Sequence, residues 1–275
     1  MYRRSDRCTL MPQNLKIVYY VEPNAAALAR RAAEFFVVEA ERAVAARGVA
    51  RIAISGGSTP KAAFRALAEQ GEEWRERMPW QKLDLWWVDE RCVPPNDADS
   101  NYRMTREALL DHVPLKPEQI HRMEGELEPD DAAARYEAEL RKSFGPNGAG
   151  IPRFDVVQLG MGPDGHTASL FPHTEALRVT DRLVAANYVE AQDMWRVTLT
   201  RPVINAARQV FFLIEGAGKA MILNEVWEGP RDEERLPSQF IVPVDGILTL
   251  LLDQAAATLL PAPDAQGYGV LERTE

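Results

Sequence analysis

Four times in this chain a short apolar run stops at a loop of glycine, hydroxyl or charged residues, and after the first, second and fourth of these a helix-forming segment follows. The runs are residues 51–54, 82–88, 154–159 and 209–214. The loops are Ser55-Gly56-Gly57-Ser58-Thr59-Pro60, Asp89-Glu90-Arg91, Gly160-Met161-Gly162-Pro163-Asp164-Gly165-His166 and Gly216-Ala217-Gly218-Lys219. Strands that alternate with helices in this way predict βαβ units. The expected fold is α/β and Rossmann-like, with a mainly parallel sheet and helices on both faces.

The remaining segments fit that plan. Residues 16–21 are rich in strand formers, and Asn24 can cap a long helix over 25–47 that ends at Gly48. Helices are expected over 61–69, 102–111 and 130–143, a short one from Pro202, and one from Gly218-Lys219 to Trp227. Residues 182–189 and 196–200 read as further strands, and 246–254 as a final helix. The Gly/Pro/Asn stretch 144–152 reads as a surface loop. The expected organisation is a flexible N-terminal extension over 1–13, one α/β domain over 14–260, and a C-terminal tail over 261–275.

Charge narrows the partners. The net charge of -9 and pI near 5.2 disfavour nucleic acid and membrane surfaces as ligands. A small anion can still bind where the site itself is positive. No stretch approaches 18 apolar residues. The first 12 residues are basic without the apolar core of a signal peptide; Met11 is an alternative start, and a transit peptide a further reading. Cys8 and Cys92 match no zinc or redox spacing, and Cys8 falls in the N-terminal extension, which points to a reducing, cytoplasmic setting. No cofactor or metal is implied, because His166 lacks a second histidine at metal-ligand spacing. A monomer or weak homodimer is expected.

The loops carry the candidate chemistry. In the first, Gly56 and Gly57 let the backbone turn tightly, Ser58 and Thr59 offer hydroxyls, and Pro60 suits a first helical turn. A helix N-terminus there favours an anion; a plain capped turn is the other reading. The spacing is neither G-x-x-x-x-G-K-[ST] nor G-x-G-x-x-G. Arg91 can clamp a phosphate or stabilise an oxyanion at a strand's C-terminal end, or belong to a surface ion-pair cluster. His166, one of four histidines, is suited to act as a general base. Asp164 can orient its ring or cap a turn, and Gly165 shapes the loop between them. Lys219 can serve as a point charge for phosphate or stand in solvent. Together the loops point to a small phosphorylated substrate and acid–base chemistry.

At these residues the chain resembles the 6-phosphogluconolactonase family. The likeness rests on the first loop, on Asp89-Glu90-Arg91 with Ser100-Asn101-Tyr102, and on Gly160 through His166 continued by Thr167-Ala168-Ser169-Leu170-Phe171-Pro172. Arg196-Val197-Thr198-Leu199-Thr200 and Gly218-Lys219-Ala220 extend it, so that it runs from about residue 16 to residue 256. The resemblance implies a metal-independent hydrolase acting on a phosphorylated sugar lactone. It makes His166 the base that activates water, gives Gly56, Gly57, Ser58, Thr59, Gly165 and Lys219 to substrate or phosphate binding, and places Arg91 at the ligand. The chain departs from the family at His173, where glycine is common. Glucosamine-6-phosphate deaminases share the Asp-Gly-His element, but they supply a glutamate shortly after it; this chain has Thr167 through Pro172 there. A non-enzymatic sugar-phosphate sensor would need the anion cradles but not His166.

Overall fold

The computed structural model describes residues 14–145 and 150–274, so the expected extension over 1–13 and Cys8 lie outside the described residues. In chain order the elements are β1 (Asn14–Glu22), α1 (Ala25–Arg47), β2 (Ala50–Ile54), α2 (Ser58–Ala68), α3 (Glu73–Arg77), β3 (Leu83–Trp87), β4 (Asp89–Arg91), α4 (Asn101–Ala108) and β5 (Ile120–His121). They continue with α5 (Pro129–Ser143), β6 (Val156–Leu159), β7 (Val184–Val189), β8 (Met194–Leu199), α6 (Arg201–Asn205), β9 (Gln209–Ile214), α7 (Ala220–Glu228), β10 (Ile247–Asp253) and β11 (Tyr268–Thr274).

Eight strands form one sheet in the order β11-β1-β10-β9-β6-β2-β3-β5, parallel throughout except for β11. Its central strands are buried on both faces, so they read as continuous apolar runs. Neighbouring residues of β9 show the layering. The Phe211 ring meets Phe35 and Phe36 of α1, at 5.0 and 5.1 Å between centroids, while the Phe212 ring meets Trp227 of α7 at 5.2 Å. Successive strand residues point to opposite faces, so α1 and α7 cover opposite sides. Trp86 and Trp87 of β3 repeat the pattern, one against Tyr136 of α5 and the other against Tyr102 of α4.

The local signals explain α1. Asn24 accepts the Ala27 N–H at 3.0 Å, and Gly48 closes the helix at φ +80° while donating to Val44 O. Two expectations need correction. Residues 246–254 are not a helix: Ile247–Asp253 is β10, inserted between β1 and β9. All but its first residue are buried, and a short apolar run buried on both faces has no period that separates strand from helix. Nor is 261–275 simply a tail, since β11 pairs antiparallel with β1 and covers that sheet edge.

The segments expected as strands over 182–189 and 196–200 lie outside the main sheet. They form a three-stranded antiparallel sheet with β4, in the order β4-β8-β7. Its register sets Arg91 directly opposite Arg196.

Candidate active site

β9, β6, β2 and β3 are consecutive in the main sheet, so the loops at their C-terminal ends converge. That edge is where ligands sit in open α/β sheets. A cleft of about 230 Å³ opens there. Its walls include Gly56, Gly57, Ser58, Thr59, Arg91, His166 and Lys219 from the sequence-derived set, and also Asp89, Asn101, Arg196 and Glu215.

The first loop is locked from below. Ser55 donates its N–H to Gln158 Oε1 at 3.0 Å and its hydroxyl to Gln158 O at 3.1 Å, tying the end of β2 to β6. Gly57 turns at φ +118° and α2 starts at Ser58 without a side-chain cap. The first-turn N–H groups of Ser58 and Thr59 have no intrahelical acceptor, so the helix offers them to the cleft. Gly56 is fixed by contact: a Cβ there would lie 1.7 Å from Asn101 Oδ1.

Asn101 is itself held by the second loop. Its Nδ2 donates to Asp89 O at 2.9 Å, and its Oδ1 accepts from Arg91 Nη1 at 2.7 Å. The same Arg91 nitrogen donates to Asp99 O at 2.7 Å. Behind it, the Glu90 carboxylate is buried and accepts the N–H groups of Arg91, Asn101 and Tyr102 at 2.7, 2.7 and 2.8 Å, and the Ser100 hydroxyl at 3.2 Å. Removal from water pushes its pKa up to about 7 against those donors.

The third loop folds on itself, with Gly162 N–H donating to His166 O at 2.8 Å and Gly165 N–H to Gly162 O at 3.1 Å. His166 Nδ1 lies 2.5 Å from Asp164 Oδ1, and its ring stacks on Phe171 with centroids 3.8 Å apart. Gly162 permits this, because a Cβ there would meet Nδ1 at 2.1 Å. An ionised Asp164 takes the Nδ1 proton in hydrogen bonding and leaves the Nε2 lone pair as the basic site. Burial opposes the charged carboxylate, but the hydrogen bond and charge of His166 and the backbone N–H hold Asp164 below the usual range. Asp164 is not in the wall of the main cleft; it lines a second cavity with Phe171 and His173.

Gly165 is displaced from its expected role, since it does not line the cleft. Its φ of +78° and the 2.8 Å separation of a would-be Cβ from Leu236 Cδ2 make it a turn and packing position. His173 also has a positive φ, +62°. That backbone region favours glycine, the residue common at this position in the family resembled.

In the fourth loop Gly216 turns at φ +93° and donates its N–H to Asp253 Oδ1 at 2.9 Å. Lys219 then reaches across and donates Nζ to Met161 O at 2.8 Å. Partial burial lowers its pKa, with Asp164 opposing.

Arg196 was legible only as part of a matching segment. It is buried, and its guanidinium carbon stands 5.6 Å from the Phe171 centroid, so Phe171 touches both Arg196 and His166. Burial pulls it below the ordinary guanidinium range; Asp89 opposes this and Arg91 adds to it. Three cations thus line the cleft against the carboxylates of Asp89 and Glu215, in a chain that is acidic overall.

A family model described as glucosamine-6-phosphate isomerases/6-phosphogluconolactonase matches residues 23–250. The 6-phosphogluconolactonase of Synechocystis sp. is 43% identical over 221 residues, 80% of this chain and 89% of that one. The Haemophilus influenzae 6-phosphogluconolactonase is 40% identical over 209 residues, 76% of this chain and 87% of its own. Among solved structures, the Trypanosoma cruzi 6-phosphogluconolactonase superposes with a TM-score of 0.75 at 31% identity, covering 88% of this chain and 96% of that one. A monomeric glucosamine-6-phosphate deaminase superposes with a TM-score of 0.73 at 19% identity, a likeness of fold alone. The chain belongs to the glucosamine-6-phosphate isomerase/6-phosphogluconolactonase family.

Proposed function

We propose that this protein hydrolyses 6-phospho-D-glucono-1,5-lactone to 6-phospho-D-gluconate, the lactone step of the oxidative pentose phosphate pathway. The observation that carries this reading is His166, backed by Asp164, presented to a cleft with an open helix N-terminus and three cationic side chains. The names of the most similar relatives point the same way. The residues after His166 disfavour deamination: Thr167 Oγ1 donates to Gly160 O and Ser169 Oγ to Asp89 Oδ2, so this stretch braces the loop and adds no carboxylate beside the ring.

In this reading the N–H groups of Ser58 and Thr59, with Arg91 and Lys219, hold the phosphate. Water attacks the lactone carbonyl as His166 Nε2 takes its proton, and Asp164 stabilises the imidazolium that forms. The tetrahedral intermediate collapses, the C1–ring-oxygen bond breaks, and the imidazolium returns the proton to the leaving oxygen. No covalent enzyme intermediate is needed. The protein acts in the cytoplasm as a monomer or weak homodimer.

The test is hydrolysis of freshly generated lactone, corrected for its spontaneous opening. His166→Ala should lower kcat/KM by roughly 10²–10⁴-fold with the fold intact by circular dichroism. Full activity in a folded His166→Ala protein would refute the assignment of the base, and ammonia release from glucosamine 6-phosphate would refute the reaction.

A further inference from the structure

Arg196 has a donor inventory that the fold does not use. Of its five N–H donors, Nη2 bonds Gln192 Oε1, and Nε is buried with no hydrogen-bond partner among the described residues. Among the described residues it forms no ion pair, although it is only 7% exposed. A buried guanidinium without a carboxylate partner is costly unless a ligand completes it. Arg91, opposite it in register, shares the unpartnered buried Nε, but its Nη1 is committed to Asp99 O and Asn101 Oδ1, over the Gly56–Thr59 turn.

Position separates the two arginines further. Arg91 belongs to the network that shapes the helix N-terminus, the phosphate end of the cleft in the reading above. Arg196 packs on the same Phe171 ring that supports His166. The acyl carbon has to lie beside His166 for the base to act on attacking water, so the charge created there is born near Arg196.

We propose that Arg196 is a catalytic residue that binds the acyl end of the ligand: the oxyanion of the tetrahedral intermediate and then the C1 carboxylate of the product. The planar fork matches two carboxylate oxygens, which one ammonium cannot reproduce. The inference rests on the lactonase reading, and it assigns the two arginines different ends of one substrate.

Two competitive inhibitors separate the ends. 6-Phosphogluconate carries both phosphate and carboxylate; glucitol 6-phosphate carries the phosphate and a hydroxymethyl group in place of the carboxylate. For Arg196→Gln, kcat should fall about 10²-fold with KM nearly unchanged, as for the loss of an oxyanion donor. Inhibition by 6-phosphogluconate should weaken at least tenfold, and inhibition by glucitol 6-phosphate less than twofold. Arg196→Lys, which keeps the buried charge but not the fork, should show the same split with a smaller loss of kcat and covers the case in which Arg196→Gln does not fold. Equal weakening of both inhibitors would make Arg196 a phosphate ligand and overturn the proposal. Unchanged kcat and inhibition with a lowered melting temperature would make it purely structural and overturn it too. If the wild type binds neither compound, the sugar-phosphate reading itself fails, a result distinct from loss of the split.

Discussion

The buried Glu90 carboxylate makes this protein's stability depend on pH in an unusual direction. A glutamate ordinarily titrates near 4.5; here burial pushes the group up to about 7. Because the folded value is the higher one, the folded state holds the proton more tightly. The stabilisation is therefore complete below 4.5 and is lost as pH rises through 7. A displacement of that size corresponds to about 3 kcal/mol between pH 4 and pH 8. Glu90→Gln removes the titration. It also sets an amide NH2 against backbone N–H groups that now point at carboxylate oxygens, a fixed cost of about 1–3 kcal/mol. Urea denaturation at pH 5, 6, 7 and 8 should show the wild type ahead of the variant at pH 5 and the gap closing by pH 8. A gap that stays constant, or widens with pH, would refute the reasoning and show that the four donors to Glu90 outweigh its burial. Because those donors include Asn101 and Arg91 N–H groups, KM should rise over the same interval in wild type and not in Glu90→Gln.

Other perturbations test the site piece by piece. Asp164→Asn keeps an oxygen near Nδ1 but removes the charge that stabilises an imidazolium, so kcat should drop by roughly 10²-fold with KM little changed in steady-state assays. Gly56→Ala drives a methyl into Asn101 and should raise KM at least tenfold, with the Arg91 clamp displaced. Gly165→Ala combines a left-handed backbone with a clash against Leu236 and should cost about 2–4 kcal/mol in denaturation midpoints. At His173, glycine relieves the positive φ but adds freedom to the unfolded chain, so His173→Gly should be within about 1 kcal/mol of wild type. His173→Val, β-branched at φ +62°, should lose about 1–3 kcal/mol by the same measurement.

What could be read in the residues, and what could not, follows from the range of the interactions. Gly48, Gly57 and Gly216 announce turns because their positive φ restricts the residue types that fit, and Asn24 announces a helix start because its side chain caps the first turn. His166 and Asp164 are two positions apart in a glycine loop, so their pairing is a local event. β10 reads as a helix in the sequence because a strand buried on both faces carries no alternation, and its leucines are also good helix formers. β11 leaves no local signal, because its pairing partner is the edge of β1, far away in the chain.

The charge of the cleft shows the same limit more sharply. Read as motifs, the loops contain two cations, Arg91 and Lys219, and they come together because β9, β6, β2 and β3 are adjacent in the sheet though separated in the chain. The third cation arrives on a strand of the other sheet: β4 leaves the end of β3, pairs with β8, and brings Arg196 level with Arg91. The sequence did contain a trace of it, one arginine in a segment whose later residues, Val197 through Thr200, are all buried. A strand arginine has an ordinary explanation at a sheet surface, whereas a buried one without an ion-pair partner calls for an anion. Only the pairing of β4 with β8 distinguishes the two cases. Motifs in the strand-end loops therefore identify where a phosphate can sit, while the long-range register decides whether a second anionic centre can form next to His166.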